Sequence, residues 1–482
     1  MESIPTLEEC NMSRSRRFFL NGMSAGALGA VLTNCAATES KNTMKAGFGR
    51  VKITPPIGTA MTGFGFRDYD PTGCKGIHDD LYARALYLND GREDILIMGF
   101  DLLFFSRDEA NRYKGAIGRK LDLSPRQILL NTSHTHTGPK VGSWDYTPSD
   151  RLYLQFLENA IVNAAVESKN TLRDVTLWAG ETHSKLPMSR RKPLPNGIID
   201  FAPYPEGVVY DKLPFCLFKD MGGKPVYLLF SVSTHPSTIK GNERSYFISA
   251  DYPGKAMAVL DEYLGAAGSL FLQGAAGDSK PSVIGKGEES WRAGDWPDVD
   301  SAGSMAAYEV INAIDAGLTR CEPELSAVSI EMSWPMAQPR TRAEYVQVIE
   351  KPPAHSESIP EGMKRWAQEM IELIDRGFGL PTAVPITAHG VRLGKNLRLV
   401  GIEGEIVAEL GHLIANFYGN GITFPMGYTD GAQLYLPTSK MLDEGGYEAE
   451  SYYEYRFPAP LAKGMEGILT QSLQELRTKG IT

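Results

Sequence analysis

Three histidines and two carboxylates stand at the ends of apolar segments of this 482-residue chain. His134 and His136 lie in the segment SHTHTGP, His235 lies in STHP, Asp278 ends GAAGD, and Glu405 ends EGE. Neutral imidazole nitrogens with a carboxylate form a ligand set that suits Zn²⁺ and leaves a coordination position for water. The alternative is that each histidine is an ordinary polar residue, hydrogen-bonded where a strand enters a loop. Because the chain has only eight histidines, three at such ends favour the metal site.

The apolar segments themselves predict buried strands. Each is a short, continuous apolar run that ends in small or polar residues, which is typical of strands covered on both faces. The runs are residues 94–101, 127–136, 225–236, 269–278 and 396–405. Helical spacing predicts helices after Asp251, at about 303–317 and at about 362–376. This alternation predicts an α/β fold, with a layered sheet core, flanking helices and the metal site at the C-terminal ends of strands.

Two stretches rich in proline, glycine or charge predict long loops, at about 186–214 and about 280–300. Long loops inside a compact enzyme often form the walls of a site, and surface decoration is the alternative. We find no repeat with a period of 20–50 residues, so a solenoid or a propeller is disfavoured. No change in composition marks a domain boundary after residue 45.

Composition and charge exclude several classes of protein. The chain is 42% hydrophobic and 22% charged, which is ordinary for a globular protein and excludes disordered and collagen-like chains. Its net charge is −9 and no basic run exceeds SRRKP, so it lacks the clustered basic surface that nucleic-acid binding needs. The five cysteines include no CxxC pair, which excludes a sulfur-ligated zinc site. One disulfide among Cys74, Cys216 and Cys321 remains open.

The N-terminal residues predict an export signal. Arg16 and Arg17 precede an uncharged stretch, residues 18–32, that is too short to span a membrane as a stable anchor. We therefore predict a twin-arginine signal over residues 1–34, with a surface helix as the alternative. The stretch ends in LTNC, which resembles a bacterial lipoprotein box, so Cys35 is the predicted site of lipidation and membrane attachment. The expected location is the periplasm of a bacterium or, for a lipoprotein, the membrane surface.

Several motifs, in this order along the chain, resemble the neutral/alkaline ceramidase family. They are NTSHTHTGP, FSVSTHP, GAAGDSKP, EGEIVAELG and GAQLYLPTSKMLDEGGYEAES. The resemblance covers roughly residues 46–480 and is to the family's catalytic domain, so we expect a ceramidase-like catalytic domain over residues 46–482. It implies an α/β domain with a zinc ion at the bottom of a pocket, where the amide of ceramide is cleaved to sphingosine and a fatty acid.

The resemblance also implies roles for individual residues. It makes the metal ligands His134, His235, Glu405 and Tyr435. His136 would stand beside the metal, where it supports the ligands or serves as the acid and base. Either Arg190 or Arg191 matches an arginine that contacts the region of the substrate carbonyl, and the sequence does not decide between them.

One position departs from the family pattern. The family carries a serine, considered the nucleophile, where this chain has Lys280, and Ser279 is one position early. A shift of one residue in a loop points a side chain elsewhere, so we do not expect Ser279 to replace that serine. Asp278 is one expected partner of the Lys280 ammonium group. The alternative is that Lys280 faces the pocket, where it would favour a substrate with an anionic or oxygen-rich group.

These observations predict an exported, zinc-dependent hydrolase that cleaves an amide or ester bond in a small molecule or lipid. Zn²⁺ would lower the pKa of water towards ~7, and His136 would take and return the proton. Arg190 or Arg191, with Lys280, would stabilise the developing oxyanion, and Asp278 completes the expected catalytic residues. The alternative is a lipoprotein that has lost catalysis and binds a lipid or glycan in the same pocket.

Overall fold

The computed structural model describes residues 43–67, 72–143, 145–265, 268–353 and 360–482. The predicted export signal at residues 1–34 and the predicted lipidation site at Cys35 lie outside these ranges, and both stay predictions. Within the described ranges, no helix is long and apolar enough to cross a membrane.

The strands of the described residues build two large sheets and several short ladders. In chain order they are β1 (Met44–Lys52), β2 (Gly76–Ile77), β3 (Tyr82–Asn89), β4 (Asp94–Phe100), β5 (Ile128–Thr132), β6 (Arg173–His183), β7 (Pro187–Pro193), β8 (Ile199–Tyr204), β9 (Lys212–Asp220), β10 (Pro225–Val232), β11 (Phe247–Ile248), β12 (Gly268–Gln273), β13 (Ser279–Pro281), β14 (Thr319–Cys321), β15 (Pro323–Pro335), β16 (Ala383–Gly394), β17 (Leu397–Ile402), β18 (Glu405–Ile406), β19 (Ile422–Met426) and β20 (Tyr435–Leu436). All five apolar runs contain a strand, and each strand ends before the polar residues that close its run.

The helices lie between the strands, as the alternating pattern predicted. They are α1 (Arg107–Leu121), α2 (Pro148–Asn170), α3 (Asp251–Leu264), α4 (Trp296–Ala316), α5 (Arg342–Glu350), α6 (Pro360–Asp375), α7 (Ala408–Tyr418), α8 (Ser439–Glu444), α9 (Tyr447–Glu450) and α10 (Met465–Thr478). The three helices expected from spacing correspond to α3, α4 and α6. Helix α4 begins earlier than expected because Asp295 caps its N-terminus and accepts a hydrogen bond from the backbone N–H of Trp296.

One mixed sheet forms the larger half of the core. Its strand order is β12-β10-β9-β6-β1-β3-β4-β5, and β14 pairs with β6. The pairs β10/β12 and β4/β5 are parallel, and the other neighbours are antiparallel. A second sheet has the order β15-β16-β17-β19, in which β17 and β19 are parallel. The short ladders β13-β7-β8 and β18-β20 carry residues of the site described below.

The two sheets pack face to face and share one apolar core. Ile97 of β4 and Leu229 of β10 belong to the same buried cluster as Leu399 of β17 and Phe424 of β19. Helices α1 to α4 cover the outer face of the large sheet, and α7 and α10 cover the second sheet. The chain thus forms four layers, helix–sheet–sheet–helix. The predicted α/β class, a layered sheet core with flanking helices, is confirmed.

Strand β4 shows why its sequence is apolar throughout. Ile95 and Ile97 face the second sheet, whereas Leu96 and Met98 face the cluster beneath α1 and α2. Successive side chains of a strand point to opposite faces, and here both faces are covered. Every position of this strand after Asp94 is therefore buried, which explains a continuous apolar run in place of an alternating one.

Two sequence predictions were wrong in detail. The stretch 186–214 is not a long loop: it contains β7, β8 and the start of β9, and β7 pairs with β8 on one side and β13 on the other. Gly197, at a positive φ of 81°, lies in the turn between β7 and β8, so the Pro- and Gly-rich composition marked the turn and the strand ends. The stretch 280–300 is shortened by β13 and α4. Among the described residues, Cys74, Cys216 and Cys321 are free thiols.

Candidate metal centre

Segments that are distant in sequence bring His134, His136, His235 and Glu405 to one place. Strand β5 ends at Thr132, two residues before His134, so strand alternation does not set the directions of His134 and His136. His134 instead has a positive φ of 67°, a left-handed conformation that costs a non-glycine residue about 1–2 kcal/mol. A hydrogen bond from its backbone N–H to the Leu102 carbonyl (2.9 Å) holds this turn. A strained residue at a candidate site is consistent with a functional constraint.

Each of the three histidines donates its Nδ1–H to a backbone carbonyl oxygen. The bonds run from His134 to Leu103 (2.9 Å), from His136 to Gly63 (2.6 Å) and from His235 to Ala276 (2.7 Å). A proton on Nδ1 leaves the Nε2 of a neutral imidazole with an exposed lone pair. This is the tautomer that metal-binding histidines adopt when a carbonyl orients them.

The three Nε2 atoms point at one another. Nε2 of His134 lies 3.1 Å from Nε2 of His235 and 3.2 Å from Nε2 of His136. Oε2 of Glu405 lies 3.2 Å from the His134 nitrogen and 3.4 Å from the His235 nitrogen. Lone pairs and a carboxylate crowded together repel one another unless a cation stands between them. Zinc–ligand bonds of about 2.0–2.1 Å in a tetrahedron separate the donor atoms by about 3.3–3.4 Å, so these groups fit a metal ion.

Glu405 and Tyr435 are brought side by side by a two-residue parallel ladder. Strands β18 and β20 pair in a register that sets Glu405 opposite Tyr435. The Tyr435 hydroxyl lies 3.2 Å from Nε2 of His235, on the edge of the same cluster. A Cβ atom on Gly277 would come within 2.7 Å of the Glu405 carbonyl oxygen, so the GAAGD turn needs glycine to pack against this ladder.

Two further tyrosines hold the Glu405 carboxylate. The Tyr455 hydroxyl donates to Oε1 at 2.5 Å, and the Tyr428 hydroxyl donates to Oε2 at 3.3 Å. The Tyr428 ring also lies 4.3 Å, centroid to centroid, from the His134 ring. Both hydroxyls orient a carboxylate beside the histidines, which is the usual task of groups around metal ligands.

Burial and neighbouring charges set the protonation of the cluster. Burial lowers the pKa of His235 to about 3, and it lowers the pKa of His136 well below its usual value. Burial opposes ionisation of Glu405, but its contact with His134 outweighs burial and holds the pKa of Glu405 well below its usual range. Unprotonated His136 and His235 beside an ionised carboxylate are the forms that bind a divalent cation. The buried histidine triad could therefore bind a metal ion.

The structure separates the two candidate arginines. Arg190 lines the cavity in front of the cluster, and its guanidinium carbon lies 5.3 Å from the centre of the Tyr435 ring. Arg191 binds Glu448 through Nη1 (2.6 Å) and the Gly445 carbonyl through Nη2 (2.9 Å), and it is not part of the described cavity wall. Adjacent strand residues normally point to opposite faces, but the β7–β8 register shifts here, and both arginines reach Glu448.

The GDSKP turn points its three polar side chains in different directions. Lys280 lines the cavity, and its Nζ donates to Oγ (2.7 Å) and the carbonyl (3.0 Å) of Ser237. Asp278 accepts a hydrogen bond from the backbone N–H of Ala408 (2.8 Å), at the start of α7, and is outside the described cavity wall. Ser279 donates to the Ser233 carbonyl (2.8 Å) and is also outside that wall. Asp278 thus orients α7 and does not serve the reacting region directly.

The cluster opens into a cavity of about 450 Å³. His136 is half-buried at its floor, whereas His134 and His235 are buried. The walls include a group of aromatic side chains, among them Phe64, Phe104, Phe201, Trp366, Tyr447 and Tyr455. A metal centre beneath apolar walls suits a substrate with a hydrocarbon part.

Comparisons with known proteins bear on the fold. No protein-family model and no curated protein sequence matches the chain. Solved structures match over most of its length. One is a ceramidase complexed with C2, with a TM-score of 0.68 and 15% identity over 90% of this chain and 75% of that one. Another is the neutral ceramidase from Pseudomonas aeruginosa, with a TM-score of 0.65 and 16% identity over 89% and 73% of the two chains.

The chain shares the fold of these ceramidases. The fold expected from the motif resemblance is therefore confirmed, and at 15–16% identity the likeness concerns the fold alone.

Within this ceramidase fold, sequence reasoning missed Tyr428, Tyr455 and Glu448. Both tyrosines hold Glu405, and Glu448 neutralises the two adjacent arginines. A signal for Glu448 was present, because two buried arginines need a buried acid, and YEA is an acidic motif within the resemblance. No spacing rule marks the two tyrosines, since they approach Glu405 only through the tertiary fold.

Proposed function

We propose that this chain is an exported, zinc-dependent hydrolase that cleaves the acyl bond of an N-acyl amide or an ester. The observation that carries the proposal is the convergence of three Nε2 lone pairs, two of them within 3.4 Å of the Glu405 carboxylate, with each Nδ1 held by a backbone carbonyl. A ceramidase fold and the aromatic side chains of the cavity support an acyl substrate. Periplasmic location or lipid anchoring at Cys35 is part of the same proposal and depends on the sequence signal alone.

The proposed zinc ligands are His134, His235, Glu405 and Tyr435. The first three make a triangle of donor atoms with sides of 3.1, 3.2 and 3.4 Å, and the Tyr435 hydroxyl adds a donor 3.2 Å from His235. The Arg190 guanidinium lies beside Tyr435 and favours the phenolate form, although burial raises the pKa of Tyr435. These separations match a tetrahedral site.

His136 competes with Tyr435 for the fourth position, because its Nε2 is also 3.2 Å from that of His134. We assign His136 to proton transfer instead. It is the half-buried member of the histidine triad and borders the cavity through which water and substrate enter. A group that exchanges protons with water during turnover needs such a position, whereas a ligand does not.

A bound zinc ion would supply Lewis-acid chemistry, activating water and polarising the acyl carbonyl. His136 accepts the proton that water loses as the water oxygen forms a bond to the carbonyl carbon. Nη2 of Arg190 is buried without a hydrogen-bond partner among the described residues, and it can donate to the developing oxyanion. When the C–N or C–O bond breaks, His136 returns the proton to the leaving nitrogen or oxygen, and the products are a carboxylic acid and an amine or alcohol.

The test is hydrolysis of a panel of N-acyl amides, ceramide and acyl esters by protein purified without added metal. We expect turnover of at least one acyl compound, loss of that turnover with a chelator and recovery with Zn²⁺. Zinc-loaded protein that binds acyl compounds without cleaving any of them would instead support the inactive, lipid-binding alternative.

A further inference from the structure

The cavity in front of the metal cluster is richer in cations than in carboxylates. Among the described residues, its cationic lining side chains are Lys140, Arg190, Lys240, Lys280, Arg365 and Arg456. The carboxylates of the same wall are Asp145, Glu369, Glu405 and Glu454, and Glu405 belongs to the metal cluster. Three of these cations have carboxylate partners: Lys140 pairs with Asp145 (2.9 Å), Arg456 with Glu369 (3.5 Å) and Arg190 with Glu448 (2.8 Å). Lys240 and Lys280 lie on the side of the wall that the His235 loop forms, and ammonium groups at that side attract an anionic ligand.

Lys280 places one of these charges beside the reacting region. It is 2% exposed, and its Nζ donates to both oxygens of Ser237, a residue of the cavity wall. The same turn includes His235, whose backbone N–H donates to the Ser279 carbonyl (3.2 Å) and whose carbonyl accepts from Ser237 N–H (2.8 Å). Two backbone hydrogen bonds therefore connect the segment that carries Lys280 and its partner Ser237 to His235, a residue of the metal cluster.

Lys240 extends this cationic side of the cavity. It lies on the same loop as His235 and Ser237, and its Nζ is 5.3 Å from the Phe201 ring and 5.9 Å from the Phe64 ring. Phe201, Phe64 and Trp366 offer apolar surface in the same cavity. A ligand that fills the cavity thus meets aromatic surface together with two ammonium groups.

We propose that Lys280, with Lys240, forms a subsite for a carboxylate on the amine half of the substrate, so that the substrate class is the N-acyl amino acids. A charge-assisted hydrogen bond between an ammonium group and a carboxylate is stronger than a bond to a neutral oxygen and suits a cation held in a buried wall. In an N-acyl amino acid the carboxylate stands one carbon from the amide nitrogen, and Lys280 and His235 line the same cavity. The aromatic walls take the acyl chain.

This inference rests on the proposed hydrolase function for its kinetic test, and a binding test separates the two. The probes are N-lauroylglycine and N-lauroylglycinamide, which differ only in that an amide replaces the carboxylate. Calorimetry with the zinc-loaded protein is expected to show about tenfold or tighter binding of N-lauroylglycine. Lys280→Met is expected to remove most of that preference, and Lys240→Met is expected to reduce it.

Kinetics on the same pair of compounds gives the second readout. The wild-type kcat/KM is expected to favour N-lauroylglycine by about tenfold or more, with the loss in Lys280→Met appearing chiefly in KM. Lys280→Arg keeps the charge and is expected to retain part of the preference. Lys255→Met, which removes a half-buried lysine of α3 that pairs with Asp300, is the matched control and is expected to keep the wild-type preference.

The outcomes are distinct. Equal or tighter binding of the glycinamide by a folded, zinc-loaded wild type overturns the carboxylate subsite, whether or not the protein is a hydrolase. Selective binding of N-lauroylglycine without hydrolysis of any acyl compound supports the subsite and overturns the proposed function. A preference that survives in both Lys280→Met and Lys240→Met, in proteins with unchanged melting temperature and zinc content, overturns the assignment to these lysines.

Discussion

Two buried clusters of this protein combine histidine with carboxylate, and they differ in what their polar atoms face. In the first, Nδ1 of His389 lies 2.6 Å from Asp430 and Nε2 lies 2.8 Å from the Arg126 carbonyl oxygen. Asp430 also binds Nζ of Lys114 (2.5 Å) and the backbone N–H of Leu130 (3.1 Å). Both Asp430 oxygens have nitrogen partners, and the Lys114 ammonium group supplies the opposite charge, so this cluster is complete within the protein.

In the second cluster, the nitrogens of His134, His136 and His235 that are not held by carbonyls face one another and Glu405. Acceptors face acceptors, and nothing among the described residues supplies the missing positive charge at their centre. The two clusters therefore show that burial of histidine and carboxylate together does not distinguish a structural site from a binding site. The distinction lies in whether donors and acceptors balance.

The largest expected effect comes from removing two histidines of the unbalanced cluster. In the His134→Ala, His235→Ala double variant, we expect bound zinc to fall below about a tenth of an ion per chain. Hydrolysis should fall at least about a thousandfold, or about 4 kcal/mol of transition-state stabilisation. Elemental analysis and steady-state kinetics measure the two effects, with circular dichroism as the control for folding. Unchanged metal content in this variant would rule the site out.

Lys114→Met, in the cluster of His389 and Asp430, should lower the free energy of unfolding and leave the zinc content unchanged. It leaves the buried Asp430 carboxylate without its lysine partner, which typically costs about 3–5 kcal/mol. Urea unfolding measures this loss, and zinc content should stay at the wild-type value. Lys255→Met, at a partly exposed ion pair, is the matched control and should change stability by less than about 0.5 kcal/mol. Loss of zinc from a stable Lys114→Met protein would erase the contrast between the clusters.

A third buried carboxylate, Asp278, should make the stability of the protein depend on pH. Burial, with the charge of Glu448, raises the pKa of Asp278 to about 7 from the usual 3.8. The folded state then holds a proton that the unfolded state has released, so this contribution to stability is present below about pH 4 and is lost as pH rises through 7. Between pH 5 and 8 the loss amounts to about 2.5 kcal/mol.

Asp278→Asn keeps an oxygen acceptor for the Ala408 N–H and cannot ionise. Its unfolding free energy should fall less between pH 5 and pH 8 than that of the wild type, as measured by urea unfolding across this range. Identical pH slopes in the two proteins would show that Asp278 is ionised in the folded state at neutral pH.

The smallest expected effect belongs to Ser279. Its hydroxyl donates to the Ser233 carbonyl and does not line the cavity, so it is not placed to attack a substrate. Ser279→Ala should keep at least about a tenth of the wild-type rate, a loss below ~1.4 kcal/mol. A drop of about a thousandfold, or an acyl group trapped on Ser279, would make this serine the nucleophile.

Sequence reasoning found the parts of the site that follow local pattern. His134 and His235 were marked by apolar runs, because a strand covered on both faces must end where polar residues begin. Tyr435 was reached only through the resemblance, since a two-residue ladder with Glu405 leaves no periodic signal. The segment that contains Arg190 was predicted as a loop, but it forms strand β7. This strand is formed by pairing with β8 and β13 and not by local preference.

What the sequence determined by itself was the class of the fold, the candidate donor residues and the chemistry they suit. Apolar periodicity and residue type are local properties that depend on few neighbours. The tertiary structure alone decided which arginine lines the cavity, that Lys280 binds Ser237 while Asp278 binds Ala408, and which tyrosines hold Glu405. These outcomes depend on the positive φ of His134, the register shift in β7 and the β18–β20 pairing. Each places residues distant in sequence within hydrogen-bonding distance, and no local pattern encodes such a distance.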